Sequence, residues 1–211
     1  MTTPAFPVIL AAPSGTGKTT IARRLLEQRP DIGFSVTCTT RRPRQAERPG
    51  LDYFFLAEDE FESRVAAGDF AEHALVHGNR YGTLRSEIDR LMTAGKNPIM
   101  TIDVQGAVQF LQAFPSAVLI FLLPPSAVEL LARLSGRGSE DRATVALRVN
   151  SALVELSTVD QFEYVVVNDE LEHAVAQVLS IIDAEALRRT RLTDLKERVT
   201  ALADELRDAI R

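Results

Sequence analysis

Four short apolar runs stand out along the chain: Val8-Ile9-Leu10, Pro98-Ile99-Met100-Thr101-Ile102, Val118-Leu119-Ile120-Phe121-Leu122-Leu123 and Tyr164-Val165-Val166-Val167. None alternates with polar positions, so each predicts a strand buried on both faces. Between the runs, apolar residues recur at helical spacing. That periodicity predicts helices after Gly17, after Gln105, after Pro125, over residues 141–156 and from Leu171 onward. Ser126, followed three residues later by Glu129, is a capping-box signature for the third of these. Buried strands alternating with helices imply an α/β fold: a parallel sheet in a three-layer core.

Two stretches break the alternation. Residues 35–94 hold short strand candidates at Phe34–Thr37 and Tyr53–Phe55, a run of arginines and two helical patterns, and read as an insert between core strands. Residues 133–148 are rich in arginine, with Gly136 and Gly138 on either side of Arg137, and read as a mobile segment. The tail repeats Leu192, Leu195, Val199, Leu202, Leu206 and Ile210 at spacings of three and four, which predicts an amphipathic helix. Its stripe must bury against the core or a second subunit; self-association is the expectation. The division that follows is a main domain over 4–188, with an insert at about 36–95 and a lid at about 126–149, and a C-terminal helix over 189–211.

Composition narrows the classes. With 211 residues, the chain buries enough surface to need no disulfide or metal staple. Cys38 is the single cysteine, so no intrachain disulfide and no cysteine zinc cage are expected. Lysine plus arginine number 24 against 29 acidic residues, a net charge of −5, which argues against a general nucleic-acid binder. The longest aliphatic stretch, Ala117–Leu123, is far short of the ~20 residues that span a bilayer. The N-terminus lacks the basic start and apolar core of a signal peptide, so a cytoplasmic setting is the default expectation.

The strongest motif follows the first strand: Ala12-Pro13-Ser14-Gly15-Thr16-Gly17-Lys18-Thr19, leading into the helical run from Thr20. It is a P-loop in which Ala12 stands where the first glycine is usual. Gly15 and Gly17 let backbone N–H groups turn toward phosphate oxygens, and the following helix adds its positive end. Lys18 reaches the β- and γ-phosphates, and the Thr19 hydroxyl suits Mg²⁺. A P-loop implies a nucleotide but no particular reaction.

Arg41, Arg42, Arg44 and Arg48 fall within eight residues of an acidic chain. Alone they read as a solvated basic loop. Beside a P-loop they suggest a second phosphate site, because guanidinium binds phosphate in bidentate fashion. Pro43 keeps Arg42 out of a helix, so the guanidinium groups project from an extended segment. Two anion sites in one chain suggest a kinase that acts on a phosphorylated acceptor.

Ser35-Val36-Thr37-Cys38-Thr39-Thr40-Arg41-Arg42-Pro43-Arg44, with Gly50-Leu51-Asp52-Tyr53, resembles the acceptor segment of guanylate kinases. The resemblance continues in the family's order through Phe70-Ala71-Glu72-His73, Gly78-Asn79-Arg80-Tyr81-Gly82-Thr83, Ile102-Asp103-Val104-Gln105-Gly106, Gly136-Arg137-Gly138-Ser139-Glu140 and Val167-Asn168-Asp169. It implies a P-loop NTPase core with an acceptor-nucleotide-binding insert and a mobile lid. The implied activity is transfer of the ATP γ-phosphoryl group to GMP, giving ADP and GDP, with Mg²⁺ as cofactor. By position, Arg41, Arg44, Tyr53 and Tyr81 correspond to ligands of the GMP phosphate. Thr37, Glu72, Thr83 and Asp103 correspond to the guanine-reading set. Ala12 through Thr20 would hold ATP, with Asn168 beside the adenine. Lys18, Arg41, Arg137 and Arg148 would carry catalysis, with Arg133 a weaker candidate. Thr19 would ligate Mg²⁺, and Asp103 would reach it through water.

The physics supports Glu72. Guanine presents two adjacent donors, N1–H and the 2-amino group, and one carboxylate accepts both. Adenine presents an acceptor at N1 and leaves the charge unpaired. Without the resemblance, Glu72 reads as a solvated helix residue, Tyr53 and Tyr81 as half-buried packing residues, and Asn168 as a turn former.

Two positions depart from the family: Ala46 replaces the glycine common after Pro-Arg, and Thr101 is the other. Thr101 stands where an acidic residue, expected to hold Mg²⁺ through water, is usual. Two other readings therefore stand beside the GMP kinase. One is a P-loop kinase for a ribose phosphate, which Glu72 and Thr37 argue against. The other is a catalytically weak protein-binding scaffold, which has no need of Lys18 and the lid arginines.

Overall fold

A computed structural model describes residues 3–45, 47–76, 78–135 and 142–210. Ala46 and residues 136–141, with the expected catalytic Arg137 among them, lie outside the described residues. The strands are β1 (Val8–Ala11), β2 (Ile32–Phe34), β3 (Thr37–Thr39), β4 (Tyr53–Phe55), β5 (Phe70–Val76), β6 (Asn79–Leu84), β7 (Asn97–Ile102), β8 (Val118–Leu123) and β9 (Tyr164–Val167). The helices are α1 (Lys18–Gln28), α2 (Glu58–Ala67), α3 (Arg85–Thr93), α4 (Val104–Ala113), α5 (Ala127–Leu134), α6 (Arg142–Leu156), α7 (Leu171–Ala186) and α8 (Leu195–Ala209).

Five strands form one parallel sheet in the order β2-β7-β1-β8-β9. The fold is α/β with helices on both faces. β1 is central, with Leu10 in register with Thr101 on one side and Ile120 on the other. Its side chains alternate between two cores. Val8 and Leu10 pack with Ile21 and Leu25 of α1 and Val175 and Val178 of α7. Ile9 and Ala11 pack with Ile88 of α3 and Ala107 and Phe110 of α4. Burial on both faces explains why β1, β7 and β8 read as apolar runs, but the same expectation is corrected for β9, an edge strand whose Val165 and Val167 are exposed.

The second sheet has the order β4-β3-β6-β5; β3 and β4 are parallel, and β6 runs antiparallel to both β3 and β5. Its own small core is built on Cys38, Phe61 and Phe70, the two rings stacked at 4.5 Å. Burial pushes the Cys38 thiol up to about 12, so it packs as an inert apolar group.

The single strand expected over Phe34–Thr37 is corrected here. Phe34 ends β2 in the parallel sheet, whereas Thr37 begins β3 in the second. Between them the Ser35 N–H donates to the Ile99 carbonyl at 2.9 Å. The chain changes partners within two residues, and periodicity along one chain carries no record of a partner change. Ser126 caps α5 as expected, its Oγ accepting from the Glu129 N–H at 3.1 Å.

Beyond α7, Glu185 is buried and accepts from the Tyr164 hydroxyl at 2.6 Å and from Arg191 at 2.8 Å. Burial would raise its pKa, but Tyr164 and Arg191 outweigh it and hold the carboxyl below the usual range. Arg191 also donates to the Ser116 carbonyl and lies 4.2 Å from the centre of the Phe6 ring. The start of the tail is therefore anchored to the core. The α8 stripe is not: Val199, Leu202, Leu206 and Ile210 are 52–86 % exposed. Among the described residues, no helix is long and apolar enough to cross a membrane.

Candidate active site

The P-loop leaves the C-terminal end of β1 and winds into α1, so its amides sit at a helix N-terminus. Gly17 has φ 98°, and a Cβ there would meet the Asn168 Nδ2 at 2.5 Å, so glycine is required twice over. The Asn168 Nδ2 donates to the Thr16 carbonyl at 2.6 Å, tying the end of β9 to the loop. The Thr16 hydroxyl in turn donates to the Pro13 carbonyl at 2.8 Å. Ala12 is buried in the core behind the loop, and Ser14 and Thr20 are exposed. The Lys18 Nζ donates to the Ala12 carbonyl at 2.6 Å and the Pro13 carbonyl at 3.3 Å. Burial lowers its pKa; Glu155 and then Asp103 oppose that shift.

Three clefts meet around the loop. An open groove of about 380 Å³ runs over Gly15, Gly17, Thr20, Arg133 and Asn168. A larger cleft of about 690 Å³ lies between Thr19 and Thr101 on one side and Arg44 and Tyr53 on the other. An inner cavity of about 260 Å³ joins Lys18 to Glu72, Tyr81 and Asp103. The last two adjoin, with Thr37, Tyr53 and Thr101 lining both.

Arg41 is braced from several sides. Its Nη2 donates to the Glu47 Oε1 at 2.8 Å, its Nε to the Tyr81 hydroxyl at 3.3 Å, and its Cζ lies 5.3 Å from the Tyr53 ring centre. Tyr53 and Tyr81 meet edge to face at 6.1 Å. The Glu47 Oε2 accepts from the Arg44 N–H at 2.8 Å. Glu47 is thus the carboxylate that holds both arginines, and Arg41 keeps it below the usual carboxylate range. The sequence reading did not single out Glu47; an acid among four arginines was the only available signal.

Glu72 is buried and its Oε1 accepts from the Thr83 hydroxyl at 2.6 Å. The β5–β6 pairing puts the two residues opposite each other. Gly106 makes room for the carboxylate, because a Cβ there would meet the Glu72 Oε2 at 2.7 Å. The Glu72 carboxyl is pushed up to about 7, chiefly by burial. Asp103 caps α4, its Oδ1 accepting from the Gly106 N–H at 2.8 Å.

The arginines near the lid are divided. Arg133 lines the donor groove and its Nη1 lies 3.5 Å from the Thr16 carbonyl. The Arg148 Nη1 donates to the Leu134 carbonyl at 3.1 Å. The structure thus places the acceptor-side residues Thr37, Tyr53, Glu72, Tyr81 and Asp103 around Lys18, with Asn168 and Thr20 in the neighbouring groove.

A guanylate kinase family profile matches residues 5–185, most of the chain. The chain belongs to the guanylate kinase family. A guanylate kinase from Thermotoga maritima is 44% identical over 190 residues, covering 90% of this chain and 92% of that protein. One from Anaeromyxobacter dehalogenans is 47% identical over 187 residues, covering 88% and 83%. The crystal structure of guanylate kinase from Anaplasma phagocytophilum superposes with a TM-score of 0.79 at 31% identity, covering 93% of this chain and 94% of that one. This protein is accordingly a nucleotide kinase of the guanylate kinase type. The family match ends where α7 ends, so α8 lies outside it.

Proposed function

We propose that this protein transfers the γ-phosphoryl group of ATP to GMP, giving ADP and GDP. The observation that supports the reading is the inner cavity that joins Lys18 to Thr37, Glu72 and Tyr81, with Thr19 and Arg44 lining the adjoining cleft. A phosphate oxygen of GMP forms the new bond to phosphorus as the β-phosphate oxygen of ADP leaves, so no protein nucleophile is needed. Positioning and charge neutralisation carry the rate. Arg41, Arg44, Tyr53 and Tyr81 hold the acceptor phosphate. Thr37, Glu72, Thr83 and Asp103 read guanine. Residues 12–20 and Asn168 hold ATP, and Arg137 and Arg148 balance charge on the moving phosphoryl group. A coupled assay with ATP, Mg²⁺ and GMP tests the reading; no turnover at saturating Mg²⁺ would sink it and favour a binding scaffold.

The oxygen-only set of Thr19 and Asp103 suits Mg²⁺, which is usually held by one or two protein groups together with substrate phosphates. When bound, the ion neutralises charge on the β- and γ-phosphates. Thr101 lines the same cleft as Thr19 and supplies a hydroxyl where the family has a carboxylate. A missing group around a metal costs roughly 10–100-fold in affinity or activity. Thr101→Asp should lower the Mg²⁺ concentration needed for half-maximal rate. Superimposable Mg²⁺ titrations of the two proteins would remove Thr101 from metal control.

The exposed stripe of α8 is assigned to a second copy of the chain. Leu195, Val199, Leu202, Leu206 and Ala209 follow the 3-4 spacing of a coiled-coil seam. Arg198 and Glu205 flank that seam on the same side, seven residues apart. An antiparallel pair sets Arg198 against Glu205 of the other copy twice; a parallel pair sets neither against an opposite charge. Light scattering should give a dimer for the wild type and a monomer for Leu202→Asp. Arg198→Glu should weaken the dimer and Arg198→Glu with Glu205→Arg should restore it. Equal masses for wild type and Leu202→Asp would dispose of the contact.

A further inference from the structure

The roles above leave one acid of the inner cavity without a function. Glu155 sits in the last turn of α6 and lines that cavity with Ala12, Ser14, Lys18 and Asp103. Its Oε2 is sealed from solvent and has no hydrogen-bond partner among the described residues. An orphaned carboxylate oxygen is costly, and a native fold that keeps one has a use for it.

We propose that Glu155 is a positioning residue for Lys18: its carboxylate gives the ammonium an anchor on the protein side of the donor site and links the P-loop to α6. This rests on the phosphoryl-transfer reading. Lys18 donates to the Ala12 and Pro13 carbonyls of its own loop. Glu155 is the cavity acid that acts most strongly on Lys18, ahead of Asp103. Burial pushes the Glu155 carboxyl above the usual range, and Lys18 opposes that shift. Glu72 on β5, Tyr53 on β4 and Tyr81 on β6 face the same cavity from the acceptor side. Among these groups only Glu155 comes from α6. Seven residues earlier the same helix carries Arg148. Residues seven apart share a helix face, so one rigid element carries both the anchor of Lys18 and an arginine assigned to the moving phosphoryl group.

The sign of the effect separates positioning from scaffolding. A carboxylate near the donor phosphates opposes ATP binding while it orders Lys18 for transfer. Glu155→Gln keeps the shape and removes the charge. It should lower kcat by roughly 10–100-fold, the scale of a misplaced catalytic group. ATP affinity, measured by calorimetry without GMP, should stay the same or tighten, with the melting temperature unchanged. Glu155→Asp keeps the charge and should recover part of the rate. Added to Lys18→Ala, Glu155→Gln should cost nothing further, because the group it acts through is gone. A kcat within twofold of wild type would overturn the proposal. So would a kcat loss accompanied by weaker ATP binding and a lower melting temperature, or an additive loss in the double variant. Wild-type turnover of GMP is the control: its absence would overturn the phosphoryl-transfer reading, whereas normal wild type beside an unaffected Glu155→Gln overturns only the anchor.

Discussion

Replacing Lys18 with alanine should abolish phosphoryl transfer and leave GMP binding nearly intact. The side chain enters the inner cavity from the donor side, where its Nζ bonds the carbonyls of the P-loop. The acceptor arginines draw their support from Glu47, Tyr53 and Tyr81 instead, and none of those contacts involves Lys18. Removing the ammonium therefore strips charge from the transferring group without disturbing the acceptor pocket. A coupled assay should show less than about a tenth of the wild-type kcat, a loss above ~1.4 kcal/mol in the barrier. Calorimetry with GMP alone should give an affinity close to wild type. A variant that kept more than that tenth would show that the P-loop does not act through Lys18.

Glu72→Gln should weaken GMP use by about 1–3 kcal/mol in kcat/KM, because a charged acceptor becomes a neutral amide and one of its faces is a donor. Discrimination against AMP should shrink with it. The structure adds a pH signature. The buried Glu72 carboxyl is raised to about 7 from an ordinary 4.5, so the folded protein holds a proton that the unfolded chain releases. That stabilisation is complete below 4.5 and is lost as pH rises to about 7. Urea titrations across that window should show the wild type losing stability and Glu72→Gln a flatter profile. Guanine needs the carboxylate, so GMP binding just below pH 7 should release a proton, visible as a buffer-dependent heat. A GMP-to-AMP ratio of kcat/KM unchanged by the substitution would take Glu72 out of the base pocket.

The parallel sheet was legible because β1, β7 and β8 are covered on both faces and therefore nearly continuous in apolar residues, whereas β9 reads as an apolar run although Val165 and Val167 are exposed at the sheet edge. β2 was not, because Ile32-Gly33-Phe34 is three residues long and contains a glycine. The P-loop could be read directly, since one contiguous segment makes the whole anion cradle. Glu72 could not be read from its neighbours. What buries it is Thr83 across the β5–β6 pair and the close pass of α4 at Gly106, both set by tertiary contacts. Glu155 escaped for the same reason, whereas Glu47 is local to its arginines and was hidden only because a charge-rich loop reads as solvated. Glu155 matters because a helix more than a hundred residues downstream returns to the P-loop. Spacing motifs report groups that neighbour each other in sequence, and Glu72 and Glu155 act on groups that the fold brings to them.

The inner cavity holds both the Lys18 of the P-loop and the Glu72 carboxylate proposed to read guanine. The most direct test is an acceptor panel with ATP and Mg²⁺, comparing GMP, AMP, UMP, CMP and ribose phosphates by kcat/KM. GMP should lead every other acceptor by at least about 100-fold, the discrimination expected when a buried polar group is left unpaired by the wrong partner. Equal or faster turnover of AMP or of a ribose phosphate would contradict the account.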